Sequence, residues 1–570
     1  MFSKFRKYSV ALLALSLCGS FCATAIAKEA EKEPWWKQAV VYEIYPRSFA
    51  DADNNGVGEI KGITSKLDYL KDLGVDALWI TPCYPSPQVD FGYDISDYKA
   101  IAPEYGTMAD FDELLAEAKK RDIKIIMDFV MNHSSDKHPW FVESASSKDN
   151  AKRDWYIWRD GVNGAPPNNW ISLFGHSAWK LYPETGQYNY HFFYPEQPDL
   201  NWRNSEMRKA MYDAARFWLD KGVAGFRLDA VQALFEDPKL PDNPVKEGKN
   251  QYGDPNTEYL HNDRLPEVHD VLRELRAVLD MYPGDRVLIG ETTGSDIAEI
   301  SKSYGKNLDE VQLPMNFIMA YINKLSAPEF RKRISEWDKN PAGGWPLYFF
   351  SNHDQVRHFV RYGDKIHNED IAKLTAAVLM TVRGTPMMYY GEELGMQNND
   401  PKTKEDVQDP IGKIGWPAEI GRDGERTPMQ WNSEINAGFS KAKPWLPVSP
   451  DYKKVNVASE DADKNSVLNF YKQLIHLRKT EDALKNGSYE TLDDHNPDVL
   501  SYLRKSKDEI VVVALNMTPA PKFVQLDLSA NGISADTAEP LLASFDAGSE
   551  SLHLKSLKLP AYGVLIGKVN

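Results

Sequence analysis

From Trp35 onward, short apolar runs alternate with segments whose apolar residues recur at helical spacing. Val40 to Ile44 reads as a buried strand and Ile60 to Leu73 as an amphipathic helix. Ala77 to Ile80 and Lys124 to Val130 read as strands flanking a helix over Met108 to Arg121. The alternation continues with a helix at Ser205 to Lys221, a strand at Gly225 to Leu228, a helix at Pro266 to Met281 and a strand at Val287 to Gly290. Leu347 to Phe350 (strand), Asp370 to Val382 (helix) and Pro386 to Tyr389 (strand) close the series. Such alternation means parallel strands joined by crossovers. Seven or eight units over more than 400 of the 570 residues predict a closed (β/α)8 barrel of the α/β class.

Two long irregular stretches interrupt the pattern. Residues 133–200 are rich in Trp, Pro, Asn and Tyr and predict an inserted domain after the third strand. Residues 392–450 predict a subdomain with many Gly and Pro. Loops of this length in a compact domain are usually functional, and both follow strands, so both belong over the C-terminal mouth of the barrel. The expected organisation is a first barrel part over 35–132, the insert over 133–200, a second barrel part over 201–480, and a C-terminal antiparallel β-sandwich over 490–570. The last follows from short β-rich runs at Val499 to Leu503, Glu509 to Leu515, Lys522 to Leu528 and Leu552 to Leu559.

The N-terminus changes the picture of where the chain works. Lys4, Arg6 and Lys7 precede the apolar run Val10 to Leu17, and Ala25-Ile26-Ala27 is an A-x-A cleavage site. Residues 1–27 thus read as a signal peptide, and the protein is expected to be exported, periplasmic or secreted. Its removal takes the formal charge from −16 to −19 and leaves Cys83 as the one thiol of the mature chain, so no intrachain disulfide forms. A large exported chain without disulfides suggests a bacterium. The acidic balance argues against nucleic acid as a partner and favours a neutral substrate. No further segment is long and apolar enough to span a membrane. Nothing in the sequence sets an oligomeric state.

Three carboxylates end predicted barrel strands: Asp229 after Gly225-Phe-Arg227-Leu, Glu291 after Leu288-Ile-Gly290, and Asp354 after Phe350-Ser-Asn352-His353. An acid at a strand's C-terminal end points into the mouth of a barrel. One such acid is explained equally well as a helix N-cap, but three, each beside Arg or His or a Gly-bounded turn, point to a carbohydrate or phosphate enzyme.

These motifs resemble the α-amylase superfamily of glycoside hydrolases. Asp128-Phe-Val-Met-Asn132-His133, Gly225-Phe-Arg227-Leu-Asp229, Gly290-Glu291 and Asn352-His353-Asp354 match its four signatures in order. Gln197-Pro-Asp-Leu-Asn201, Gly384-Thr-Pro386 with Tyr389-Tyr390-Gly391 and Glu393, and Arg426-Thr-Pro-Met-Gln-Trp431 resemble the α-glucosidase and oligo-1,6-glucosidase branch. Asp90-Phe-Gly-Tyr-Asp-Ile-Ser-Asp97 and Pro166-Pro-Asn-Asn-Trp170 resemble animal-type maltases. The resemblance implies a retaining, exo-acting α-glucosidase with Asp229 as nucleophile and Glu291 as acid/base, the two carboxyls about 5–5.5 Å apart. Arg227 is expected to keep Asp229 ionised. By resemblance, Asp354, His133 and His353 hold the first sugar, Tyr93 stacks on it, and Asp94 closes the pocket with Arg422 as partner, Arg426 being the alternative. Ala230 after the nucleophile points to maltose and short α-1,4 oligosaccharides. Transfer to a sugar acceptor, as in trehalose synthases and sucrose isomerases, is the competing reading. A non-enzymatic binding protein is less favoured because all three acids are present, and an endo-acting amylase because of the Gln197 segment and the expected Asp94/Arg422 pairing.

Asp51-x-Asp53-x-Asn55-Gly56-Val57-Gly58-Glu59 offers oxygen ligands at alternate positions around a glycine turn, a pattern suited to structural Ca²⁺. Val57 would contribute its carbonyl. Asn55 and Glu59 stand where Asp is more usual in the resembling family, which also admits Mg²⁺. No organic cofactor is expected.

Overall fold

The structure is a computed structural model and describes residues 33–570; the signal-peptide reading falls outside them. Eight parallel strands form the barrel: β1 (Val41–Ile44), β2 (Ala77–Ile80), β3 (Lys124–Val130), β4 (Gly225–Asp229), β5 (Val287–Gly290), β6 (Leu313–Pro314), β7 (Leu347–Tyr348) and β8 (Thr385–Tyr389). Each neighbouring pair round the ring is hydrogen-bonded in parallel except β6 with β7. These strands are buried on both faces, as parallel strands covered by helices must be. Val41, Trp79, Ile126, Ile289, Met315, Phe349 and Met387 fill the interior. Gly225 starts β4 at φ +154°, where an added Cβ would lie 2.0 Å from the carbonyl oxygen of Val287. Only glycine lets β4 and β5 pair this closely.

The helix over Ser205–Lys221 matches its expected bounds because both ends are written locally. The Asn204 side chain caps the N–H groups of Glu206 and Met207, and Gly222 ends the helix in the left-handed conformation. The expected single helix over Ile60 to Leu73 is two, Ile60–Ser65 and Leu67–Leu73, broken at Lys66. The Thr64 and Ser65 hydroxyls bond back to the Ile60 and Gly62 carbonyls there, a competition that bends helices. The sixth strand carries no readable pattern, being two residues ending in Pro314.

Within 133–200, strands Trp158–Asp160, Gln187–Tyr190 and Trp179–Tyr182 form an antiparallel sheet over an aromatic core of Trp170, Trp179, Tyr190 and Phe192. At the C-terminus, a six-stranded antiparallel sheet shares its core with a two-stranded ribbon, Lys522–Val524 with Leu557–Leu559. The apolar stretch ending at Leu559 is not one strand, for a 3-10 turn over Leu554–Ser556 divides it. No helix among the described residues is long and apolar enough to cross a membrane.

Candidate active site

A cavity of about 440 Å³ opens at the C-terminal ends of the strands, lined by Asp229, Glu291, Asp354, Tyr93, His133 and Arg422 among others. Arg227 and His353 stand directly behind this lining with no exposed surface. Of the substrate-binding candidates outside the lining, Arg227 bonds Asp229 and lies 3.0 Å from Glu291, His353 lies 3.2 Å from Asp354, and Asp94 bonds only Ser86, Val89 and Asp90.

Arg227 is the centre of the acid cluster. Its Nη1 donates to Asp229 Oδ1 at 2.6 Å and reaches both Asp128 oxygens at 3.3 Å, while Nη2 lies 3.0 Å from Glu291 Oε2. The guanidinium also lies 4.9 Å from the Trp79 ring centroid. Two buried carboxyls, Asp128 and Asp229, and the half-buried Glu291 share this one cation. Burial holds Asp229 well above the usual carboxylate range, with the Glu291 and Asp128 charges adding to it, and the Arg227 bond only partly offsets this. Burial likewise raises Asp128 to about 6 against the pull of Arg227. Burial thus favours the neutral form at Asp229 and Asp128, and Arg227 is the charge that opposes it. Ala230, forced to φ +44° just after β4, donates its N–H to Glu291 Oε2 at 2.9 Å. The turn that ends β4 thus aims the second carboxyl.

Asp354 behaves oppositely. Burial alone raises its carboxyl, but His353, Arg422 and Arg426 outweigh this and hold it well below the usual range. Its Oδ1 accepts from Arg422 Nη1 at 2.8 Å and from Arg426 Nη2 at 2.7 Å. Arg422 also donates to Asp90 Oδ1 at 2.7 Å and takes a bidentate hold on Asp409 at 2.8 and 2.9 Å. The expected pairing of Asp94 with Arg422 is therefore corrected: the partners are Asp90, Asp354 and Asp409. Asp94 Oδ1 accepts from Ser86 Oγ and Asp90 N, and Oδ2 from Val89 N. Those local donors turn it inward to shape the loop that presents Asp90. Arg426, the alternative partner, bonds Asp354 and the His353 carbonyl instead.

Tyr93 stacks on His353, centroids 5.4 Å apart at 8°, and its hydroxyl lies 2.7 Å from His353 Nε2 and 3.1 Å from Asp128 Oδ2. Both nitrogens of His133 are taken by the protein. Nδ1 lies 2.9 Å from Asn132 Oδ1, and Nε2 lies 3.0 Å from Gln197 Nε2. The Gln197 Oε1 accepts from Tyr194 N, which orients the amide so that His133 Nε2 accepts and Nδ1 carries the proton. Burial, which lowers His133 to about 3, keeps it neutral. His133 thus offers the cavity an imidazole surface and no free donor.

The Asp51–Glu59 loop lies outside the cavity lining. Asp51, Asp53 and Glu59 bring one oxygen each within 4.8 Å of one another. Asp51 also gathers the N–H groups of Asn54, Asn55 and Gly56, the Asn55 Oδ1 accepts from Val57 N, and Glu59 caps the next helix at Gly62. The Glu59 Oε2 is buried with no partner. A hard cation fits this oxygen set and would satisfy that atom.

Sequence reasoning missed Asp90 and Asp409. Asp90 stands four residues before Asp94 in the same motif, and spacing alone does not tell which of two turn carboxylates faces the cavity. Asp409 lies in the irregular 392–450 stretch, where no period places a side chain.

Two carboxyls aimed into the mouth of a (β/α)8 barrel, with a third acid gripped by arginines, define an enzyme of the glycoside hydrolase class. The model of the alpha amylase catalytic domain matches residues 43–487, and that of the maltogenic amylase C-terminal domain residues 489–566. This chain belongs to the alpha-amylase family. An oligo-1,6-glucosidase of Parageobacillus thermoglucosidasius is 40% identical over 567 residues, covering 94% of this chain and 99% of its own. A probable alpha-glucosidase of Rhizobium meliloti is 40% identical over 546 residues, 94% and 97%. Among solved structures, the trehalulose synthase of Pseudomonas mesoacidophila matches at a TM-score of 0.88 and 39% identity, covering 95% of this chain and 100% of that one.

Proposed function

We propose that the protein is a retaining, exo-acting α-glucosidase that releases glucose from the non-reducing end of maltose and short α-1,4-gluco-oligosaccharides. The observation that carries this reading is Arg422, one guanidinium tying Asp90, Asp354 and Asp409 together at the cavity that holds Asp229 and Glu291. A charged bridge there makes a blind end for one sugar rather than an open groove.

In the first step an Asp229 oxygen bonds to the anomeric carbon while Glu291 gives its proton to the glycosidic oxygen, and the leaving sugar departs as an alcohol. In the second, Glu291, now a carboxylate, takes a proton from water. The water oxygen displaces Asp229, and the sugar leaves with its α-configuration. The Arg227 cation accommodates the charge passing between the two carboxyls. Asp354, held ionised, grips ring hydroxyls as the ring flattens.

Proton NMR of maltose turnover, with isomaltose and sucrose alongside, tests the reading. α-Glucose as first product supports it, and the relative rates rank the linkages. Ala230 favours the α-1,4 bond, although one methyl-scale contact discriminates by only about 1–3 kcal/mol. The second reading is transfer to a sugar acceptor, favoured by the likeness to a trehalulose synthase; a rearranged disaccharide as main product would establish it. Arg422→Ala is expected to raise KM for maltose by about 10–100-fold, since bidentate charged bonds are not replaced by water. An unchanged KM would remove Arg422 from the pocket's end.

Asp51, Asp53 and Glu59, with Asn55 and the Val57 carbonyl, are proposed to hold a structural Ca²⁺. Adding 1 mM Ca²⁺ after chelation is expected to raise Tm by about 2–5 °C, the stabilisation that binding to the folded state alone provides. A response to Mg²⁺ but not Ca²⁺ would reassign the ion, and no response to either would retire the site. The segment Lys4 to Ala27 supports export from the cell.

A further inference from the structure

The first barrel strand carries a buried acid for which the reaction has so far no use. Glu43 is fully buried in β1 and does not line the cavity. A carboxylate in such a place is costly unless it is paired and hydrogen-bonded. Here the partner is a single residue from the loop after β7. Glu43 Oε1 lies 2.6 Å from the ring Nδ1 of His353 and accepts from its backbone N–H at 3.2 Å. The second oxygen, Oε2, has no partner. Burial pushes the Glu43 carboxyl up, and the His353 N–H and the Arg227 charge pull it back.

The opposite edge of the same ring faces the site. His353 Nε2 lies 2.7 Å from the Tyr93 hydroxyl and 3.2 Å from Asp354 Oδ2. Tyr93 and Tyr45 stack on the ring, at 8° and 17° to its plane. Stacking fixes the plane of an imidazole but not which nitrogen points where. That choice is made by the acceptor at Nδ1.

We propose that Glu43 is a positioning residue for glycosyl transfer. By hydrogen-bonding both the ring Nδ1 and the main-chain N–H of His353, it fixes the edge that His353 turns to Tyr93 and Asp354, and with it the grip of Asp354 on the sugar. That grip tightens as the ring flattens, so Glu43 acts on kcat more than on KM.

The inference rests on the α-glucosidase reading, so parent and variants are assayed together on maltose. Glu43→Leu removes the acceptor and is expected to lower kcat by about 30–100-fold, with KM within about threefold. Glu43→Gln keeps Oε1 as an acceptor and is expected to return kcat to within about threefold of the parent. Glu43→Asp withdraws the acceptor by one methylene and is expected to cost at least about tenfold; it serves in place of the leucine variant should that one not fold. In a His353→Ala background Glu43→Leu is expected to cost nothing further, the signature of a residue acting through another. The inference is overturned if folded Leu and Asp variants keep kcat within threefold, if the Gln variant is as impaired as the Leu variant, or if the losses add in the double variant. A parent inactive on every α-glucoside overturns the functional reading with it, whereas an active parent with indifferent variants overturns this inference alone.

Discussion

Asp229→Asn is expected to lower kcat on maltose by at least about 10⁴-fold, the scale on which removing a covalent nucleophile acts. The fold should not suffer. Asn has the same shape, and its Oδ1 can still accept from Arg227 Nη1, the 2.6 Å bond of the parent. The change also removes a carboxyl that burial and two neighbouring acids already disfavour as an anion, so Tm should hold or rise slightly. Rapid-quench kinetics, thermal unfolding and maltose calorimetry on one preparation check all three expectations. A folded variant with near-parental kcat would remove Asp229 from the mechanism.

Arg227→Met is expected to fail in stability and in activity together. It leaves Asp128, Asp229 and Glu291 in a buried site without the cation that all three approach. Breaking a buried charge cluster by removing one partner costs about 3–5 kcal/mol, and the Trp79 ring loses its cation at the same time. Activity should fall by at least about 10³-fold, because neutralisation of the acids erases the division between nucleophile and proton donor. The stability loss should shrink on acidification, since protonation relieves Asp128 and Asp229, whose raised folded-state affinity for protons favours the folded state as pH falls. Urea unfolding at pH 5 and pH 7.5 reads this directly. An equal loss at both pH values would mean that the damage is steric rather than electrostatic.

Much of the architecture was legible because it is written in local periods. Strand and helix patterns returned β2, β3 and β5 at their observed bounds, and the alternation required a parallel sheet. The candidate acids were legible for a related reason: Asp229 ends β4, Glu291 follows β5 directly, Asp354 lies in the loop after β7, and a barrel has one mouth. The break at Lys66 and the two-residue β6 were not legible. One depends on hydroxyls folding back onto carbonyls, and the other is too short to carry a period.

The sequence by itself determined the alternation of strands and helices outside β6, the acids Asp229, Glu291 and Asp354 at or beyond predicted strand ends, and the oxygen-rich turn at Asp51–Glu59. These depend on neighbours a few residues apart, where covalent geometry dictates which side chains share a face. Only the tertiary structure decided who pairs with whom. Arg422 meets Asp90, Asp354 and Asp409 rather than Asp94, His133 spends both nitrogens on Asn132 and Gln197, and Glu43 reaches His353 across 310 positions. The physical reason is burial. Inside the barrel a charge or an imidazole takes whichever partner the packing brings within about 3 Å, and chain distance has no bearing on that choice.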